Sequence, residues 1–455
     1  MARNYRKLLF ATALSAFTLA VCGQGLNSAY FLSGSFSRHE MNPAFAPERN
    51  YFSLPVIGGF GTDFVSNAGA SNFIYNSKSY PGKLTTFMSG DVDRVEFLNG
   101  LKDITKLNTG ISVNVFSFGF TSFGGYNTVG FRVRNNETVS LPKELFEFMK
   151  SGLVPGEYSI DDVRVRSNTY ADLALGHSRM VGDRLRFGAT LHILAGAEYL
   201  DMNVSHIEAT TMASRWNIRM NGTVNASGEI TYGRKNDGAV DLNDIKYKFP
   251  GVSGLGLAFD LGAAYDMSDI VDGLSLSASV TDFGFINWSK GKTFATDPNK
   301  TVEFDGFHDV SKTSDIEDQF NKIGEDFKSM TNLYETESGS FSGNPTATLR
   351  LGILYRLPWV DWISAGELLT YMTGYNNFES RTSVNIAPAK WFDASLNLAF
   401  SSYATNMGWV VNFHPKGFNF YIGSDGLKVK LSNNIPTEAT SANIVLGMRF
   451  PLGDM

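Results

Sequence analysis

The sequence predicts an all-β fold: a transmembrane antiparallel β-barrel of about 14 strands, with a plug-like N-terminal segment and a few short helices in loops. Three observations carry that expectation. Period-two alternation of apolar and small or polar residues recurs along most of the chain, and many of the alternating runs reach about 10 residues. The chain is also rich in the residues of strands, tight turns and membrane-interface girdles (45 Gly, 36 Phe, 18 Tyr) while only 18% is charged. A strand tilted across a bilayer needs about 9–11 residues, whereas strands of soluble sheets run to about 5–6. Lipid-facing and lumen-facing side chains alternate in such a wall, so a content of 43% hydrophobic residues suffices without any long greasy run.

The N-terminus comes first. Arg3, Arg6 and Lys7 precede the apolar run from Leu8 to Val21, and Cys22-Gly23-Gln24 breaks it. A basic start, a short apolar stretch and small residues at the break make a secretory signal peptide over residues 1–23, cut before Gln24. The run is shorter than the roughly 20 residues of a spanning helix. Cys22 is the only cysteine, and two fates are open to it: lipid attachment, or removal with the leader. Val21 stands where a lipid-attachment site usually has Gly or Ala, which favours removal. An exported barrel of this kind belongs in the outer membrane, and an even strand count places both termini on the periplasmic side. Residues 24–50 are then a hatch-like segment. Residues 51–455 form the barrel, with polar excursions near 233–247 and 290–344.

The wall strands follow. From Gly254 to Met267 one face carries Leu255, Leu257, Phe259 and Leu261, and the other Gly256, Ala258, Asp260, Gly262 and Asp266. From Arg184 to Tyr199, Leu185, Phe187, Leu191 and Ile193 oppose Arg184, Arg186, His192 and Glu198. From Ala347 to Leu357, Arg350 and Arg356 oppose Leu349, Leu351 and Ile353. Parity therefore assigns Arg184, Arg186, Glu198, Asp260, Asp266, Arg350 and Arg356 to the lumen. They are either a structural network of paired charges or a selectivity lining. Further strands are expected at 52–64, 110–122, 126–136, 168–180, 213–232, 273–288, 362–374, 380–387, 391–401 and 442–450, with 406–424 as a hairpin.

Two helices are expected. Ser140 to Gly152 has Pro142 in its first turn and Gly152 past its end. Ser314-Asp315-Ile316-Glu317 is a capping box opening a run with Ile316, Phe320, Ile323 and Phe327 at helical spacing. Both are too short and polar to span, so they belong over a barrel mouth or in loops.

Three segments carry a family resemblance. Met41-Asn42-Pro43-Ala44-Phe45 resembles the N-terminal Asn-Pro-Ala segment of the FadL-like long-chain fatty-acid transporter superfamily. Leu276 to Trp288 (LSASVTDFGFINW) and Leu141 to Phe146 (LPKELF) are similar to segments of an uncharacterised outer-membrane β-barrel family of Bacteroidota, a domain of unknown function. The resemblance implies a barrel of about fourteen strands over most of the mature chain, with Asn42, Pro43 and Ala44 in an internal hatch. One departure is plain: many such barrels end on an aromatic residue, whereas Phe450 is followed by Pro451-Leu452-Gly453-Asp454-Met455.

Sites of other kinds do not emerge. His39-Glu40-Met41-Asn42 begins like a zinc-protease helix but lacks the second His. Asp237, Asp241, Asn243 and Asp244 miss the spacing of a calcium loop and read as a solvated acidic stretch. The six His are scattered singly. No catalytic residue, metal site or cofactor is therefore assigned, and a net charge of −6 gives no footprint for nucleic acid. The expected partners are outer-membrane lipid and either a small hydrophobic ligand or an envelope protein. A transporting barrel calls for a lateral gap or an apolar cavity under the hatch. A lumen packed solid with paired charges contradicts a conduit and favours a non-transporting partner of a secretion or envelope complex.

Overall fold

The computed structural model describes residues 26–54, 59–151, 155–212, 216–248, 251–304, 316–374, 376–426, 431–432, 435–436 and 441–452. The expected leader, Cys22 and the start of the capping box, Ser314 and Asp315, lie outside these residues. Alternating sequence becomes strand where the reading places it, and most strands run longer than the alternation alone marks. They are β1 (Asn50–Ser53), β2 (Phe60–Ser66), β3 (Ile104–Ser122), β4 (Gly125–Pro142), β5 (Gly156–Val181) and β6 (Leu185–Thr211). Then come β7 (Trp216–Ser227), β8 (Gly254–Asp266), β9 (Leu274–Ala295), β10 (Val302–Phe304), β11 (Tyr334–Gly343) and β12 (Thr348–Arg356). The last are β13 (Ile363–Met372), β14 (Asn377–Ala389), β15 (Phe392–Ser401), β16 (Thr405–Phe413), β17 (Asn419–Ser424) and β18 (Ser441–Leu452).

These strands close a barrel of fourteen antiparallel wall positions. β1 and β2 share one position between β18 and β3. The wall continues through β3, β4, β5, β6, β8 and β9. It returns by β12 to β17 and closes on β18. Closure leaves no free edge, the condition for a sheet in lipid. Two expected strands are reassigned. In the segment expected at 213–232, the described strand β7 is not a wall strand: it pairs with the upper parts of β6 and β9, above the point where β8 ends. The 406–424 hairpin supplies two wall strands, β16 and β17. The two changes compensate in the count.

The barrel's two ends differ. At one, β3–β4, β5–β6, β8–β9, β12–β13 and β14–β15 are joined by short turns, and β18 ends there. Trp359, Trp362 and Trp391 are exposed around it, as in an interfacial aromatic girdle. The outward wall between the ends is apolar and exposed: Leu255 and Phe283 keep 65% and 67% of their surface accessible, which suits lipid rather than water. From Leu276 to Phe285 the chain climbs nine steps of about 3.3 Å, roughly 23 Å along the membrane normal at a tilt of about 40°, close to a bilayer's apolar band.

At the other end the strands overrun. β5 and β6 are 26 and 27 residues long, far beyond the about 10 that a crossing needs. The excess carries β7, β10 and β11 and is covered by α1 (Arg94–Asn99), α2 (Lys143–Ser151) and α3 (Ile316–Ser329). α1 was not expected, although Asp93-Arg94-Val95-Glu96 has a cap's spacing: the Asp93 carboxylate accepts from the Glu96 amide at 2.8 Å. α2 begins one residue after Pro142, which remains the last residue of β4.

Candidate functional site

The barrel interior is occupied by the chain's own N-terminus. Residues 26–46 run through the lumen, and Leu26, Ala29, Tyr30, Met41, Asn42 and Ala44 have almost no accessible surface. Small wall residues make the room. A side chain added at Gly262 would come within 2.0 Å of the Asn42 amide oxygen, and one at Gly188 within 2.2 Å of the Pro43 carbonyl. These two glycines face each other across β6 and β8, so Asn42-Pro43-Ala44 sits in one paired seat. Gly352 and Gly366 similarly receive the rings of Tyr30 and Phe31. Asn42 is fully bonded there. Its amide nitrogen donates to the Tyr30 hydroxyl at 3.2 Å and to the carbonyls of Ala263 and Ala278, and its oxygen accepts from the Ala44 amide at 3.0 Å.

Charges lock the same segment. The Asp425 carboxylate accepts from the Asn27 and Ser28 amides at 2.8 and 2.6 Å, and approaches Arg381 at 3.6 Å. The Asp393 carboxylate accepts from the Gly34 amide at 3.0 Å. Glu40, in the segment, pairs with Arg449 at 2.5 Å and Arg132 at 3.4 Å of the wall.

Beside Glu40 lies the densest polar cluster. Arg132 reaches Asp172 at 2.8 Å, and Arg134 donates twice to Asp282 at 2.5 and 3.0 Å. His192 has Asp172 2.8 Å from Nδ1 and Asp260 2.9 Å from Nε2. Asp260 also accepts from the backbone of Asp282, which adopts φ +59° at a bulge in the β8–β9 ladder. Arg350 donates to Thr281 at 3.1 Å and Asn27 at 3.4 Å. His192, Asp260 and Asp282 bring ligand-type atoms within 4.8 Å of one another. His192 holds Asp172 through its other nitrogen and Asp282 is bonded to Arg134, so ion pairing accounts for the grouping. A polar cavity of about 70 Å³ among Glu40, Arg132, Arg134, Asp260, Asp282 and Arg449 is the room left beside this network.

Of the residues that parity sent to the lumen, the structure brings together only Asp260 and Arg350, both buried in or beside the network. Arg184 pairs with Asp269 at the short-turn end, and Asp266 and Arg356 are exposed there, one or two residues from the turns. Arg186 is half-buried near the same end. Glu198 is a correction. Gly196 stands opposite Tyr170 and Glu198 opposite Thr169, so Ala197 is an extra residue and parity inverts there. Above this bulge Glu198, Leu200, Met202 and Val204 continue the face that lower down carries Leu191 and Ile193. Parity without bulges also omitted Arg132, Arg134 and Asp172, although Val129, Phe131 and Val133 alternate with the two arginines.

That inverted face forms a second site. Above the rim it curls around an apolar chamber of about 280 Å³, lined by Leu107 and Val139 on one side and Leu200, Met202, Met220 and Phe294 on the other. Phe73, Phe87 and Phe146 close one end, backed by Phe97; Phe87 and Phe97 stack at 4.7 Å, and Phe73 meets Phe146 at 5.4 Å. α3 adds Phe320 and Phe327. Glu198 and Lys328 are the charged residues of the lining, and Lys328 is paired with Glu325 at 2.7 Å.

A fourteen-stranded barrel filled by its own N-terminus and topped by an apolar chamber is the class that this geometry defines. The chain belongs to the family of unknown function DUF5723, whose model matches residues 43–425. Among solved structures it is similar to the toluene transporter TodX of P. putida (11% identity, TM-score 0.41, 91% of this chain and 93% of that chain). It is similar too to the Ralstonia pickettii toluene transporter TbuX (12%, 0.34, 96% of each chain) and to a Pseudomonas aeruginosa FadL homologue (11%, 0.38, 95% of this chain and 99% of that one). Likenesses this distant transfer no function. None of the curated proteins compared matches the chain.

Proposed function

We propose that this protein is an exported outer-membrane barrel that captures a small apolar molecule from outside, in the chamber above its rim, and passes it inward only when the N-terminal segment moves. The chamber carries the reading. A volume of about 280 Å³ falls just below the roughly 300–1,000 Å³ of small-ligand sites, enough for a small molecule, and its lining is almost wholly apolar. Short turns face the periplasm and long excursions the outside in such barrels, which puts the chamber outermost. In this reading residues 24–50 are the hatch, with Asn42, Pro43 and Ala44 at its seat, and Asp260 and Arg350 belong to a structural network rather than a selectivity lining.

Binding of the apolar dye N-phenyl-1-naphthylamine to the purified full chain tests it. Met202→Glu and Met220→Glu put carboxylates into the chamber and are expected to weaken binding at least about tenfold, since an unpaired buried charge is costly. Lys390→Gln, at the short-turn end, leaves binding intact. Equal affinity in all four proteins removes the chamber as the site. The polar, filled lumen favours a second reading, a non-transporting partner of an envelope complex. A partner that copurifies from membranes, together with no dye binding, selects it.

A further inference from the structure

The hairpin of strands Ile230–Arg234 and Val240–Tyr247 has two unlike faces. Ile230, Tyr232, Val240 and Leu242 line the chamber. Thr231 and Lys246 line a separate open groove of about 660 Å³, shared with the stretch from Ser289 to Lys292 and with Ser338 and Gly339 of β11. Four lysines border that groove, Lys246, Lys248, Lys290 and Lys292, against one acid, Glu229. Glu229 is divided between Lys290 at 3.1 Å and Lys248 at 3.6 Å. Behind the groove Lys246 meets Asp244 at 2.9 Å. Lys292 stands 3.8 Å from Glu335, whose carboxylate already bonds Tyr232 and Arg234. In a chain of net charge −6 this is a local excess of cations. Gly228, Gly291 and Gly339 keep its walls low.

Position says what such a groove meets. On β9 the outward Phe283 and Phe285 are exposed within the apolar belt, and Lys290 and Lys292 follow a few residues higher on the same strand. On β8 the exposed Leu255 is the last belt residue, and Lys248 lies seven residues before it in the chain. The lysines therefore ring the upper edge of the lipid-facing wall, at headgroup height, where long amphipathic side chains place their ammonium groups. We infer that this groove binds the phosphate groups of an outer-leaflet lipid headgroup. Ammonium donors to phosphate oxygens are the charge-assisted kind, and four of them in one groove match a headgroup with more than one phosphate. The inference rests on the outer-membrane orientation proposed above and on nothing in the chamber.

The test uses the full chain in phosphatidylcholine nanodiscs, titrated with bis-phosphorylated lipid A, with the same lipid stripped of both phosphates, and with inorganic phosphate. Expected is at least tenfold tighter binding of the phosphorylated lipid than of the stripped one, weakening as salt rises. Lys248→Gln/Lys290→Gln/Lys292→Gln is expected to abolish the difference, and the Arg replacements at the same positions to restore it. Equal binding of the two lipids by the native chain overturns the inference. Inorganic phosphate competing at the lipid's own affinity overturns the lipid as the source. Dye binding in the same discs reports separately on the chamber, so either claim can fail alone.

Discussion

Asn42 serves four partners from one side chain, and nothing else at its position could. Asn42→Ala removes bonds to two carbonyls, the Ala44 amide and the Tyr30 hydroxyl in a dry seat, and only the last keeps another side-chain partner, Ser277. It is expected to cost about 2–3 kcal/mol in urea unfolding from lipid vesicles. Gly262→Val attacks the same seat from the wall: its first carbon would lie 2.0 Å from the Asn42 oxygen. The N-terminal segment, not the closed wall, is the part that yields, so raised ion conductance with unchanged heat-dependent gel mobility is expected. Arg449→Ala leaves the half-buried Glu40 beside Arg132 alone, which should cost about 2–3 kcal/mol by the same unfolding measurement. Outside the membrane, Lys150 on α2 donates to the Ser89 carbonyl at 2.6 Å, and burial lowers its ammonium from the ordinary 10.5 to about 8, against a smaller opposing pull from Asp93. Between those two values the unfolded chain holds the proton more tightly than the folded one. Stability of the helical cover should therefore rise as pH climbs from about 8 to about 10.5. Fluorescence of Trp216, 5.0 Å from Phe148 on the same helix, can follow it, and Lys150→Met should flatten the profile.

At the scale of elements, strands were legible where alternation was undisturbed, as along β8, β12 and β15. Their lower halves face lipid on one side and small or polar lumen groups on the other, which writes period two directly into sequence. What alternation did not show was where it inverts. Ala197 and the Asp260–Asp282 bulge each disturb the register by a backbone irregularity that side-chain type does not mark, and Glu198 was misassigned because of the first. The reach of β5 and β6 above the membrane was hidden too, because polar residues such as Asp161, Arg164 and Arg166 interrupt the pattern on their solvent side. β7 looked like a wall strand because it is one chemically; only its partners, the upper parts of β6 and β9, set it above the rim. Of the two expected helices, α2 and α3 formed where helical spacing of Leu145 and Phe148, and of Phe320, Ile323 and Phe327, places one apolar stripe against the chamber cluster.

For the whole molecule, the closed wall, the resident N-terminus and the chamber form, in the proposed orientation, a series from periplasm to exterior. The lumen is sealed by polar contacts that reach the wall on several sides, through Asp425, Asp393, Arg449 and the glycine seats. The lumen's ion pairs were legible only in part, since Arg132 and Asp172 face each other from the neighbouring strands β4 and β5 while Glu40 arrives from the N-terminal segment, and no spacing within one strand announces the meeting. The most direct measurement is conductance and dye uptake in proteoliposomes, comparing the full chain with a form lacking residues 26–46. A closed barrel beneath an apolar antechamber should bind dye yet pass few ions, and removal of the segment should open a steady conductance and speed dye entry. A full chain that conducts as freely as the shortened one would contradict the seal, and with it the proposal that passage depends on displacing the N-terminal segment.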